Sequence, residues 1–123
     1  PCSIAQAAAQ SALDSGDTLL TPMLQAFTRR HQYVYDRLRT LPGVAVLPSA
    51  GTFYSFPNVQ GVMQSRGIDS DLQLAEQLLE AGVAVVPGSA FGSPGHLRLS
   101  FATSDENLRL ALDRIGAYIT APA

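Results

Sequence analysis

The stretch "GHLRLSFATSDENLRLALDRIGAYI", Gly95–Ile119, changes its period partway along. Leu97, Leu99 and Phe101 alternate, as on a strand with one buried face. Thr103 and Glu106 then have the spacing of a capping box, T-x-x-E, which opens a helix. From there Leu108, Ala111, Leu112, Ile115 and Ile119 recur at helical spacing. A strand running straight into an amphipathic helix predicts a sheet with a helix laid back over it. Arg98 sits between Leu97 and Leu99 and so points to the face the core does not use.

Upstream, the same signals recur. Ser3 and Gln6 read as a capping box for an Ala-rich helix to about Asp14, and "DSGD" breaks it. Thr21-Pro22 reads as an N-cap followed by a first-turn proline, and the spacing predicts a helix from Pro22 to Thr40. "VAVL" (Val44–Leu47) and "TFYSF" (Thr52–Phe56) read as two strands. The short "PSAG" turn between them predicts that they pair antiparallel. "PNVQGVMQSRGID" reads as a loop. Ser70 and Gln73 cap a helix from Asp71 to Ala81, with Gly82 as its left-handed stop. "VAVV" (Val83–Val86) is a third strand and "HLRLSF" (His96–Phe101) a fourth. The prediction is an α+β, two-layer sandwich with a four-stranded, largely antiparallel sheet and helices on one face.

The bulk composition suits one globular domain: 123 residues, 46% hydrophobic and 15% charged. A net charge of −2 without a basic run argues against a nucleic-acid partner. No apolar run is long enough to span a bilayer, so no membrane is expected. "IAQAAAQSAL" lacks the basic flank of a secretory signal. The one cysteine, Cys2, fits a reducing, cytoplasmic setting. The chain begins at Pro1 without an initiator Met, so it is expected to be a piece of something longer.

Little chemistry stands out by spacing. His31, His96 and Cys2 show no metal-ligand pattern. His31 reads as a partly buried or surface helix residue. Asp71, Asp105 and Glu106 lie at helix starts, where they complement the dipole. "PGSAFGSPG" (Pro87–Gly95) is rich in Gly and Ser but leads into a strand. With no lysine in the chain it cannot be a Walker-type loop. It reads as a structural turn that could line a cleft. Tyr54 shares a strand face with Thr52 and Phe56, and would meet a ligand if helices leave that face open. All eight cationic residues are arginines. Arg98 is the strongest candidate, because a guanidinium presents a planar fork suited to a carboxylate.

"GVAVVPGSAFGSPGHLRLSFATSDENLRLALDRI", with "LPSAGTFYSF" and "SIAQAAAQSAL" upstream, resembles the C-terminal part of a class I/II aminotransferase. That is the fold-type I, pyridoxal-phosphate-dependent family, and the nearest subgroup is the bacterial aspartate/aromatic aminotransferases. The resemblance implies that Arg98 binds the substrate's α-carboxylate. It implies that residues 1–16 end the large domain, and that 17–123 form the mobile small domain. It implies transfer of an amino group from an amino acid, aspartate by the subgroup, to a 2-oxo acid such as 2-oxoglutarate. The family's cofactor-holding lysine and the rest of its cofactor site lie upstream of the matched segment. So the resemblance places no catalytic, cofactor-binding or metal residue in this chain, and predicts that the isolated chain is inactive with no cofactor bound. The intact enzyme would hold pyridoxal phosphate, contain the missing large domain and act as a homodimer. Lyases or decarboxylases on the same fold are an alternative within the family. Outside it stand a regulatory amino-acid-binding module, with Arg98 holding an effector, and an interaction domain that dimerises through the bare sheet face. On the favoured reading, the face carrying Arg98 looks unfinished in the chain alone.

Overall fold

Burial sorts the two faces of the strand that carries Arg98. Leu97 and Phe101 are 3% and 1% exposed, while Arg98 is only half-buried. In the computed structural model, which describes residues 1–122, Leu97–Ser100 (β3) is the middle strand of a three-stranded antiparallel sheet. It lies between Tyr54–Ser55 (β1) and Val86–Pro87 (β2). Tyr54 pairs with Ser100, Ser55 with Leu99, Val86 with Arg98 and Pro87 with Leu97. Directly opposed residues share a face. Ser55, Leu97 and Leu99 therefore face one way, and Tyr54, Arg98 and Val86 the other.

Five α-helices complete the described chain: Ser3–Asp14 (α1), Leu20–Leu38 (α2), Gln60–Arg66 (α3), Asp71–Glu80 (α4) and Asp105–Thr120 (α5). Val34 and Leu38 of α2, Leu74 and Leu78 of α4, and Leu108, Leu112 and Ile115 of α5 join Leu97 and Phe101 in one core. This is the expected α+β arrangement, with three strands in place of four.

The missing strand is Val44–Leu47. Only Ala45 pairs, through two backbone bonds with Asn58 of 2.9 and 2.8 Å. Pro48 has no N–H to offer a ladder, and Leu47 before it is 87% exposed. "TFYSF" consequently pairs with β3 and not with its sequence neighbour. The opposite error occurs at "PNVQGVMQSRGID", which contains helix α3. Gly61 lies within the helix for a packing reason. A Cβ there would stand 2.7 Å from the Cα of Gly43, whose own φ is +75°. The "LPG" turn and α3 touch backbone to backbone.

Helix ends hold in part. Ser70 Oγ accepts the Gln73 N–H at 3.2 Å, and Gly82 (φ +82°) follows α4 in the left-handed region. The α5 cap falls one residue later than the spacing suggests, because extended Ser104 accepts the Asn107 N–H at 3.2 Å. Thr103 instead accepts from the Asn107 side chain. At α1 the cap position is Cys2, without a side-chain bond, so Ser3 and Gln6 form no box. A short turn at Gly16–Thr18 leads into α2, which starts at Leu20 and takes Thr21 and Pro22 into its first turn. Proline is tolerated there because first-turn N–H groups have no helical partner. The helix closes at Leu38, two residues short of Thr40.

Ion pairs tie α2 to α5. Arg37 meets Asp113 at 2.6 Å, and Asp105 takes Arg30 at 2.7 Å and Arg29 at 3.2 Å. The Arg30 hydrogen bond, then that of Arg29, holds the Asp105 carboxyl below its ordinary range. A depressed carboxyl stabilises the fold above its unfolded pKa of about 3.9, and that contribution is lost as pH falls through the lower folded value. Melting of Asp105→Asn and wild type is expected to differ near neutrality and to converge only once pH falls below the lowered folded value. A gap of constant size across that range would contradict the assignment.

Candidate functional site

The face opposite the core opens into a cleft of about 730 Å³. Its walls include Pro48, Thr52, Tyr54, Phe91 and His96, with Arg98 among them. The guanidinium carbon of Arg98 lies 4.4 Å from the Tyr54 ring centre and 4.5 Å from that of Phe91. Among the described residues, the acidic groups that pair with arginine engage Arg29, Arg30, Arg37 and Arg39, and none engages Arg98. Its side chain also makes no hydrogen bond among them. A half-buried guanidinium with aromatic faces and an unused N–H edge is chemically equipped to take a carboxylate through two parallel bonds.

Two backbone segments frame it. On one side, the segment through Ser49–Thr52 is fastened to α2: the Nε2 of His31 accepts the Ser49 N–H at 3.1 Å. His31 is indeed half-buried on a helix, and it also clips the cleft wall. Thr52 has φ +66°, an uncommon left-handed conformation for a β-branched residue. On the other side is "PGSAFGSPG". Its first part is a tight turn, Gly88–Phe91. Gly88 donates to His96 O at 2.7 Å and accepts from Ser93 at 3.0 Å. A Cβ on Gly88 would sit 2.4 Å from Ser93 O. The structural-turn reading stands, and the turn also lines the cleft.

Asp71 has a second role. It opens α4, as expected of a helix-start carboxylate, but it is 3% exposed and its Oδ2 accepts the Ser89 N–H at 2.8 Å. Its role reaches beyond the dipole to holding the turn that carries Phe91. Asp105 is likewise committed to Arg29 and Arg30.

A family model for "Aminotransferase class I and II" matches residues 2–115. The chain belongs to the class I and II aminotransferases. Similar curated proteins include an aspartate/prephenate aminotransferase of Nitrosomonas europaea, 41% identical over 98% of this chain and 32% of that protein. An aspartate aminotransferase of Geobacillus stearothermophilus is 41% identical over 100% of this chain and 32% of its own length. In structure, the aspartate aminotransferase of Rhizobium meliloti superposes with a TM-score of 0.88 at 38% identity, covering 97% of this chain and 31% of that one. This aminotransferase chain thus spans about a third of the length of the curated relatives it matches.

Within the aminotransferase segment, the sequence singles out Arg98 and conditionally Tyr54, gives Asp71 and His31 only local roles, and does not single out Phe91. A lone aromatic inside a Gly/Pro/Ser loop was the available signal for Phe91. Among the described residues, no group of His, Cys, Asp and Glu is placed to hold a metal ion, and no helix is long and apolar enough to cross a membrane.

Proposed function

We propose that this chain is the C-terminal part of a pyridoxal-phosphate-dependent aminotransferase, and that Arg98 binds the α-carboxylate of its amino-acid substrate. The observation that carries the reading is the half-buried Arg98 in an open cleft, with both flanking rings in place and no acidic partner among the described residues. Aspartate as donor is supported by the names of the similar proteins, and 2-oxoglutarate is proposed as the acceptor. Residues 17–123 would be the small domain that moves toward substrate, and residues 1–16 the end of the large one. Every residue of α1 is exposed, Ile4 and Leu13 among them, and Leu20, Met23 and Leu24 on α2 are exposed too. Such an apolar strip suits a helix that packs on another part of the same polypeptide. Homodimers and a cytoplasmic setting complete the proposal.

The residues of this chain do not fit the cofactor by themselves. It has no lysine, so no side-chain amine can condense with the cofactor's carbonyl. That chemistry falls to the part of the relatives that this chain does not cover. What Arg98 contributes is position: a two-point grip on the carboxylate fixes how the bonds at the neighbouring carbon lie. The test is an assay of the complete enzyme with pyridoxal phosphate, aspartate and 2-oxoglutarate. Glutamate should form, and its absence contradicts the reading. The isolated chain should show no saturable binding of aspartate, since it holds half a site. Saturable binding would favour a regulatory amino-acid-binding module.

A further inference from the structure

We infer that Phe91 is a positioning residue for the Arg98 fork, an assignment that rests on the carboxylate-binding reading of Arg98. β3 is the central strand, so the rings at 4.4 and 4.5 Å reach the guanidinium from opposite flanks. Tyr54 comes from β1, and Phe91 from the turn after β2. The flat faces of a guanidinium are weakly hydrated and stack on aromatic rings, whereas its N–H edge seeks acceptors. Two rings packed against the guanidinium restrict where it can lie before a ligand arrives. Less side-chain freedom is then lost on binding.

A half-exposed phenylalanine in a Gly/Ser/Pro loop would ordinarily be a bystander. Here the turn that presents it is built at some cost. A buried carboxylate, Asp71, is committed to the N–H of Ser89, two residues before the ring. Gly88 stands where no larger residue fits. Phe91 itself stays 48% exposed, so core packing does not account for it. Its other aromatic neighbour, Phe56, meets it edge-on at 6.3 Å and stacks on His96 at 5.1 Å, which continues the cleft wall away from Arg98.

The test uses the full-length holoenzyme with Phe91→Leu, Phe91→Tyr, Arg98→Ala, Arg98→Lys and the double variant Phe91→Leu/Arg98→Lys. Leucine keeps bulk but loses the π face, and should raise KM for the amino-acid substrate about tenfold with kcat within about twofold and the unfolding midpoint unchanged. Tyrosine should restore KM. In the Arg98→Lys background, where no planar fork remains, removing the ring should change KM by less than about twofold. If Phe91→Leu leaves KM at the wild-type value while Arg98→Ala loses activity, the positioning role is overturned and the Arg98 reading survives. If Arg98→Ala is itself near normal, both fall. If kcat, KM and the unfolding midpoint all worsen and tyrosine does not rescue, Phe91 is a packing residue and the inference is wrong. An undiminished effect of Phe91→Leu in the Arg98→Lys background would equally show that the ring does not act through the fork.

Discussion

Arg98→Ala in the complete enzyme is expected to cut kcat/KM for the amino-acid substrate severely, with the cofactor still bound. Removing one partner of a desolvated charge pair costs about 2–5 kcal/mol, which is roughly 30- to 4000-fold in affinity. On the proposed role of Arg98, the loss should fall on carboxylate binding first. Arg98→Lys should recover little, because a point charge cannot replace a planar fork. The check is steady-state kinetics with the cofactor's absorbance recorded in parallel. Near-normal kinetics in Arg98→Ala would remove the basis of the proposed function.

Phe101→Ala is expected to give the largest stability loss of any single truncation on the β3 segment. Phe101 is 1% exposed and lies edge-on to Phe27 at 6.2 Å and to His31 at 5.9 Å. Its N–H donates to Phe53 O at 2.9 Å, at the end of the β1–β3 pairing. Burying so large a ring and then deleting it costs about 3–5 kcal/mol, a large share of the roughly 5–15 kcal/mol that holds a domain together. The loss also reaches the cleft. Phe27 packs on Phe53 at 6.2 Å, and Phe53 precedes Tyr54, whose ring centre lies 4.4 Å from the Arg98 guanidinium carbon. Denaturant unfolding measures the effect, and a change below about 1 kcal/mol would contradict the core assignment.

The same alternation accounts for both predictions, which is why the site's centre was legible in the sequence. A period of two places Arg98 opposite Leu97, Leu99 and Phe101, and burial of Leu97 and Phe101 settles which face remains open. The α5 stripe was equally legible because its apolar residues sit at fixed helical intervals. Strand partners were not, since an apolar run states that it is buried without stating beside what. Val44–Leu47 looked like a strand, but Pro48 and the turn after it leave only Ala45 to pair. Helix α3 was read as a loop, and its Gly61 is explained by a long-range contact with Gly43 that no local rule contains. Asp71 and His31 were missed for a related reason. Each had an adequate local explanation, and its second role is a bond to a backbone N–H 18 residues away along the chain.

The most direct test of Arg98 as the carboxylate clamp is a crystal structure of the complete enzyme with a bound amino-acid substrate or dicarboxylate inhibitor. The α-carboxylate should lie on the Arg98 fork, both oxygens accepting N–H bonds of about 2.7–2.9 Å, with Tyr54 and Phe91 over the guanidinium faces. A carboxylate held by other residues, with the Arg98 edge left to solvent, would contradict it.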